Sequence, residues 1–164
     1  MIRTVKTHDI GDICRIYNYY VENTSVTFEE TSVSMKGMKE RIDDVLKTSL
    51  PWLVLEEQGK VIGYGYGTKW KSRTAYKFSL ESTIYLDREA RGKGSGTALY
   101  SALIEEIRKK RIHAVIGGIA LPNAASIALH EKLGFSKVAH FKEVGYKFNK
   151  WIDVGYWELL LDEK

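Results

Sequence analysis

Cysteine, proline and long apolar runs are scarce in this chain of 164 residues. The single cysteine, Cys14, excludes an intrachain disulfide, and its place in an apolar periodic stretch predicts a buried packing thiol rather than a nucleophile. No apolar run approaches the roughly 18 residues of a membrane span, and the first thirty residues lack the apolar core of a signal peptide. We therefore expect a cytoplasmic protein with no membrane partner.

Histidine is also scarce, with four residues in the whole chain. Three of them stand singly, and His130-Glu131 has no second histidine at the spacing of a metalloprotease helix, so we expect no metal site. The 25 basic residues are interleaved with 21 acidic ones, for a net charge of +4. This balance predicts a solvated surface that mildly attracts an anionic small molecule. A nucleic-acid-binding protein, which we do not expect, would bind with a steep salt dependence.

Hydrophobic periodicity predicts one domain over residues 1–164, with an α/β (α+β) fold in which helices flank a mixed central β-sheet. Asp9 and Ser34 are predicted helix N-caps, and Gly134 is the predicted residue after the last helix. The predicted strands are 2–5, 52–57, 61–68, 79–86, 115–119, 138–144 and 156–161. The predicted helices are 9–20, 34–46, 94–110 and 124–133.

The run RGKGSG, residues 91–96, places three glycines in five positions between a predicted strand and a predicted helix. Such a loop turns backbone N–H groups toward one cavity, where the helix N-terminus adds partial positive charge, so it predicts a phosphate site. Gly96 is followed by Thr97-Ala98, which excludes a Walker A loop, and the G-x-G-x-G spacing excludes the dinucleotide fingerprint. The alternative is a tight turn that needs glycine only for its shape.

Arg91, Gly94 and Gly96 match the pattern Arg-x-x-Gly-x-Gly, and here the sequence resembles the GNAT superfamily of N-acetyltransferases. The resemblance implies a GNAT fold with acetyl-CoA as co-substrate. It also implies that acetyl-CoA pairs with the preceding strand at Ile84, Tyr85 and Leu86. Its pyrophosphate is expected to bind the loop formed by Arg91, Gly92, Lys93, Gly94, Ser95, Gly96 and Thr97.

The segment LPNAASIALHEKLGF, residues 121–135, resembles the superfamily segment that flanks the pantetheine arm. The resemblance therefore implies cofactor contacts from Asn123 and Ser126. Many relatives carry a tyrosine four residues before the Gly-Phe pair, where its hydroxyl protonates the departing thiolate. That position here is His130, which can donate a proton near neutral pH or can simply pack on the helix surface.

Three further stretches, WKSRTAY (70–76), FSLESTIYL (78–86) and VGYKFNKWIDVGYW (144–157), resemble the phosphinothricin acetyltransferase branch. Members acetylate the α-amino group of phosphinothricin, methionine sulfoximine or methionine sulfone, and generally form homodimers. Phosphinothricin-resistance enzymes carry histidines at the positions of Phe148 and Ile152. This departure argues against phosphinothricin itself as the substrate.

A free amino acid presents a carboxylate, which Arg73 or Lys71 can bind through charge-assisted hydrogen bonds. Aromatic residues supply walls for its side chain, although Trp70 and Tyr76 can also be hairpin packing beside a solvated Arg73. The expected substrate-binding residues are Phe28, Lys71, Arg73, Thr74, Ala75 and Tyr76.

Glu81 precedes the cofactor-pairing part of its strand, where the family places a general base. An amine with a pKa of about 8 is mostly cationic at neutral pH and must lose a proton before it attacks a thioester. We expect direct transfer with Glu81 as base, His130 as acid and a strand N–H near Leu86 at the oxyanion. Glu81 could instead be an inward strand residue held by hydrogen bonds.

Two other functions remain open. The acceptor can be another amine, such as a protein N-terminus, a polyamine or an aminoglycoside. The basic WKSR segment argues against the last two, whose sites should be acidic. The chain can also be a non-catalytic acyl-CoA sensor, which would need a disabled Glu81 or His130.

Overall fold

Seven strands and four α-helices follow one another in the predicted order in the computed structural model, which describes residues 1–161. The first half contains β1 (Ile2–Thr4), α1 (Ile10–Asn23), α2 (Met35–Lys47), β2 (Trp52–Glu57), β3 (Lys60–Lys69) and β4 (Ser79–Leu86). The second half contains α3 (Ser95–Arg108), β5 (Ala114–Ala120), α4 (Ala124–Lys132), β6 (Ser136–Lys147) and β7 (Lys150–Leu160). The last two strands are longer than predicted and form one long hairpin.

The strands form one mixed sheet with the order β1-β2-β3-β4-β5-β7-β6. Every neighbouring pair is antiparallel except β4 and β5. Helices α1 and α2 cover one face through a cluster that includes Ile13, Trp52 and Tyr64, and α3 covers the other face through Leu99 and Leu103. Within residues 1–161, no helix is long and apolar enough to cross a membrane.

All three predicted helix-boundary residues stand at helix ends, and two of them have the expected capping geometry. The Ser34 hydroxyl accepts a hydrogen bond from the Gly37 N–H at 3.1 Å, and Gly134 has a φ of +90°. Asp9 precedes α1 but makes no side-chain cap. Its carboxylate accepts hydrogen bonds from Arg3 at 2.7 and 2.8 Å and from the Lys6 N–H at 2.7 Å, so it joins β1 to the start of α1 instead.

The pairing between β4 and β5 ends after three residue pairs, of which the last is Glu81 with Ile116. Beyond that point β4 continues to pair with β3 and β5 continues to pair with β7, so the sheet splits into two halves. We call the opening between residues 82–86 and residues 117–120 the β4–β5 gap. Backbone groups on its two edges have no strand partner across it.

Candidate active site

Backbone groups of β4 face the gap. Asp87 donates its N–H to the Ile62 carbonyl of β3, and backbone directions alternate along a strand. The N–H and C=O groups of Ile84 and Leu86 therefore point away from β3, into the gap. The Leu86 carbonyl already accepts a hydrogen bond from the Tyr20 hydroxyl at 2.6 Å, while the Leu86 N–H remains available to a ligand. Tyr85, the third predicted pairing residue, instead turns its backbone toward β3.

The glycine loop lies between β4 and α3, and glycine is required at its positions for two different physical reasons. Gly92 and Gly94 have φ values of +75° and +81°, a backbone region that costs other residues energy. Gly96 is buried, and a Cβ there would lie 3.2 Å from Leu86 and 3.4 Å from Leu129. The first two glycines set the turn, and the third lets α3 begin close to β4 and α4.

The first turn of α3 presents free N–H groups to this loop. Ala98 donates its N–H to the Gly94 carbonyl at 3.1 Å, so the preceding groups of Ser95, Gly96 and Thr97 have no acceptor within the helix. Arg91 lies at the loop entrance with its guanidinium 5.1 Å from the ring centre of Tyr20, and Lys93 is exposed. Free N–H groups, a helix N-terminus and two cations suit a diphosphate.

Asn123 caps α4, because its Oδ1 accepts a hydrogen bond from the Ser126 N–H at 3.1 Å. That bond leaves the side-chain NH₂ of Asn123 free for a ligand. The Ser126 carbonyl lies 2.7 Å from Nδ1 of His130. A carbonyl only accepts, so Nδ1 carries the proton of the neutral ring.

His130 is almost fully buried, at 4% exposure, and packs edge-on against Tyr100 and Phe135 with ring centres 5.1 Å apart in both pairs. Its Nε2 abuts Gly117 of β5, where a Cβ could not be accommodated. Burial lowers the pKa of His130, and the hydrogen bond to Ser126 only partly counteracts this. The ring is thus held neutral with its one N–H bonded to protein, an arrangement that favours packing over proton donation.

Glu81 is half-buried on the opposite face, at the point where the sheet splits. A Cβ on Gly118 would lie 3.3 Å from its Oε1 and 3.1 Å from Tyr156, so glycine makes room for both side chains. Burial raises the pKa of Glu81, and the charge of Lys71 partly lowers it. A carboxylate with a raised pKa beside an open edge of the sheet can accept a proton from a cationic amine.

The predicted acceptor residues divide into two groups. Lys71 lies with Nζ 4.7 Å from the ring centre of Trp70, which packs edge-on against Tyr156 beside Glu81. Arg73 precedes an exposed 3-10 turn formed by Thr74–Tyr76, and all four of these residues are exposed to solvent. The structure thus brings Lys71 near Glu81 and leaves Arg73, Thr74, Ala75 and Tyr76 outside.

Phe28 lies in the loop between α1 and α2 (residues 24–34), and its ring packs directly on Gly145 of β6. The same loop contacts the Glu81 face through Tyr17, whose hydroxyl bonds Thr27 at 2.9 Å and whose ring packs against Tyr85 at 5.2 Å. Phe148 is half exposed in the β6–β7 turn, and Ile152 is buried. Phe28 therefore lies in the same region as Phe148 and Ile152, the two apolar residues that stand at the histidine positions of the phosphinothricin-resistance enzymes.

Sequence reasoning missed several residues of this face. Tyr66 of β3 pairs with Thr83, two residues from Glu81, and burial raises its pKa, with smaller contributions from the charges of Glu81 and Glu29. Tyr156 and Gly118 come from β7 and β5, and buried Lys147 comes from β6. The alternation of glycine and tyrosine in VIGYGYG was the signal available for Tyr66: glycines face α3 and tyrosines face Glu81.

Residues 2–155 match the family model described as the acetyltransferase (GNAT) domain. The chain belongs to the GNAT acetyltransferase family. It is 36% identical over 159 residues to phosphinothricin N-acetyltransferase of Streptomyces viridochromogenes, covering 96% of this chain and 85% of the relative. It is 35% identical over 162 residues to the L-methionine sulfoximine/L-methionine sulfone acetyltransferase of Salmonella typhimurium, covering 99% and 95%.

A solved phosphinothricin acetyltransferase (Pat) from Sinorhizobium meliloti in complex with AcCoA superimposes with a TM-score of 0.95 at 37% identity. The superposition covers 98% of this chain and 88% of that one. The predicted GNAT fold and the assignment as an acetyl-CoA-dependent N-acetyltransferase are confirmed. Within residues 1–161, no cluster of three or more His, Cys, Asp or Glu is arranged to hold a metal ion.

Proposed function

We propose that this GNAT acetyltransferase acetylates the α-amino group of a small amino-acid analogue, with methionine sulfone and methionine sulfoximine as the best substrates. The observation that carries the proposal is the half-buried Glu81 carboxylate beside the β4–β5 gap, with a pKa raised by burial and a cation, Lys71, close by. Base and cation together suit an amine that also bears a carboxylate. Acetyl-CoA supplies the acetyl thioester.

In the proposed mechanism, Glu81 accepts a proton from the substrate ammonium, directly or through one water. The amine nitrogen then attacks the thioester carbonyl carbon, and the Leu86 N–H, which faces the gap, stabilises the oxyanion. The new C–N bond forms and the C–S bond breaks; the nitrogen releases its second proton to solvent as the amide forms, and the thiolate takes up a proton. The neutral, hydrogen-bonded ring of His130 supports a packing role, so the thiolate's proton comes from elsewhere, such as solvent.

Lys71 is proposed to bind the substrate carboxylate, and Phe28 and Trp70 to contact its side chain. Phe148 and Ile152 offer no ionisable group to a phosphinate, which supports the sulfone and sulfoximine over phosphinothricin. The glycine loop with Arg91 and Lys93 is proposed to hold the pyrophosphate, and Asn123 and Ser126 the pantetheine arm.

The test is thiol release from acetyl-CoA across a panel of amines: methionine sulfone, methionine sulfoximine, phosphinothricin, spermidine, an aminoglycoside and a ribosomal-type N-terminal peptide. Turnover confined to the sulfone and sulfoximine supports the proposal. Turnover only on spermidine or the peptide contradicts the acceptor assignment. Tight CoA binding with no turnover on any amine would identify a sensor.

We further propose that the chain forms a homodimer through the β6–β7 hairpin. β6 is an edge strand, and the hairpin exposes half or more of six large apolar side chains, an unusual density for a free surface. These residues are Val138, Phe141, Val144, Tyr146, Phe148 and Trp151. The resemblance to a dimeric branch points to a second copy as the occupant. Light scattering tests this: Trp151→Glu should yield a monomer where the wild type is a dimer.

A further inference from the structure

Lys147 is a deeply buried charged side chain that the proposed mechanism does not use. It is 2% exposed, although β6 is otherwise largely exposed. Its Nζ donates hydrogen bonds to the Val21 carbonyl at 2.7 Å and the Thr27 carbonyl at 2.9 Å. Burial of a lysine against neutral carbonyls is costly, and burial lowers the pKa of this one. Such a cost indicates a specific positional role.

The two carbonyls explain why a cation suits this position. Val21 lies in the last turn of α1, which ends at Asn23. No N–H group of the helix therefore donates a hydrogen bond to the Val21 carbonyl. Helix C-termini carry partial negative charge and favour cations. Thr27 lies four residues beyond the helix, so a single ammonium group ties the end of α1 to the middle of the α1–α2 loop.

The contact also joins the two halves of the split sheet. Val21 and Thr27 belong to the half that contains β4, whereas Lys147 belongs to the half that contains β5, β6 and β7. The β6 register shifts between Phe141 and Gly145, and beyond that shift the hairpin tip (residues 145–152) contacts α1 through Lys147. On the Glu81 face, the hairpin tip therefore spans the β4–β5 gap.

A second contact lies two residues from the first. The Phe28 ring packs against the Cα of Gly145 so closely that a Cβ would overlap it. Glu29, the next residue, is held by Arg41 at 2.9 Å and by the Tyr17 hydroxyl. The loop that carries Phe28 is thus fixed on one side by the hairpin tip and on the other by α1 and α2.

We propose that Lys147 is a positioning residue for the acceptor: it holds the α1–α2 loop against the hairpin tip and thereby fixes Phe28 as a wall of the amine pocket. The inference rests on the proposed function, since it assumes that the amine binds on the Glu81 face. Lys147 does not contact the reacting atoms. It acts through the loop, so its loss affects amine binding and leaves acetyl-CoA binding on the opposite side of the gap unchanged.

The experiment compares Lys147→Met, which keeps the length of the side chain and removes its donors, with Gly145→Ala, which displaces Phe28 while leaving Lys147 in place. Lys150→Met, at an exposed position of the same hairpin, is the matched control. Lys147→Arg retains a charged donor and serves as the rescue variant. The measurements are KM for methionine sulfone, KM for acetyl-CoA, and amide hydrogen exchange of residues 24–30.

We expect Lys147→Met and Gly145→Ala each to raise the amine KM about tenfold, since small displacements of positioning groups have effects of this order or larger. The acetyl-CoA KM should stay within about twofold, and residues 24–30 should exchange faster. Lys147→Arg should recover much of the amine KM, and Lys150→Met should match the wild type. If Lys147→Met fails to fold, Gly145→Ala and Lys147→Arg carry the comparison.

Unchanged exchange in residues 24–30, an unchanged amine KM, or a parallel rise in both KM values would each overturn the inference. A wild type that turns over none of the panel amines would contradict the proposed function and, with it, the acceptor role of the loop. Normal wild-type turnover with unaltered KM values in both variants would contradict the positioning role alone.

Discussion

The two sides of the β4–β5 gap are built differently. On the α3 side, a short run of the chain forms the candidate pyrophosphate site, with β4 passing through Gly92, Gly94 and Gly96 into the first turn of α3. On the Glu81 side, the candidate acceptor site combines β3, β4, β5, β6, β7 and the α1–α2 loop. The first site depends on backbone geometry within one segment, whereas the second depends on side chains that only the complete fold brings together.

The largest expected effect is a loss of activity toward the amine that leaves acetyl-CoA binding unchanged. Glu81→Gln keeps the size of the side chain and removes its basicity, so we expect kcat/KM for methionine sulfone to fall about 10²- to 10³-fold. The acetyl-CoA KM should remain within about twofold, since the cofactor site lies on the other side of the gap. Steady-state kinetics with each substrate varied in turn provide the measurement.

Glu105→Gln, at an exposed position of α3, is the control and should leave both parameters unchanged. Wild-type-like turnover by Glu81→Gln would show that the amine is deprotonated by another group or by solvent. A rise in both KM values would instead indicate that the substitution disturbs the split in the sheet.

The second effect is a loss of acetyl-CoA affinity that leaves amine binding unchanged. Gly94→Ala places a Cβ at a φ of +81°, which costs roughly 1–2 kcal/mol. If the loop relaxes to avoid that strain, its N–H groups turn away and the acetyl-CoA KM rises about tenfold, while the amine KM is unchanged. Isothermal titration with CoA measures the same loss without catalysis.

Gly59→Ala is a close control, because Gly59 has a φ of +77° in the β2–β3 turn and a Cβ there also meets open space. Both variants should lose similar stability on thermal unfolding, but only Gly94→Ala should lose CoA affinity. Equal CoA affinity in the two variants would mean that Gly94 serves only the shape of the turn.

This contrast explains how much the sequence could predict. The candidate pyrophosphate loop could be predicted because its determinants are local: a strand, RGKGSG and a helix are adjacent in the chain. The acceptor site was predictable only where a resemblance supplied it, as for Glu81. Lys147 stands in a strand with exposed neighbours, and nothing local indicates that it is buried against α1 beyond a register shift at Phe141–Gly145. Asp9 stands at the N-cap position of α1 as predicted, but its carboxylate binds Arg3 and does not cap the helix.

A smaller effect sharpens the electrostatics of the acceptor side. Lys71 lowers the pKa of Glu81, so Lys71→Met should raise that pKa further above its ordinary value. The base must be unprotonated to act, so activity falls as pH drops through this pKa. The acidic limb of kcat/KM against pH should therefore move to higher pH by a few tenths of a unit.

The amine's own ionisation contributes to the same limb, so variant and wild type must be compared with one substrate. Lys77→Met, an exposed residue of the same β3–β4 connection, should leave the limb where it is. If the acidic limb of the pH profile stays at the same pH in Lys71→Met, the pKa of Glu81 does not determine its position.

The smallest expected effect on catalysis concerns His130. His130→Phe keeps a ring against Tyr100 and Phe135 and removes both nitrogens. The value of kcat should change by less than about threefold if the ring only packs, and by about 10²-fold or more if it donates the proton.

The pH dependence of stability supplies an independent readout for His130. Burial holds the pKa of His130 below its ordinary value in the folded state, so the unfolded state binds the extra proton first as pH falls. Wild-type stability should drop below about pH 6.5, and His130→Phe should flatten that drop in denaturant titrations. A flattened drop with a large loss of kcat would assign His130 to the chemistry as well as to the core.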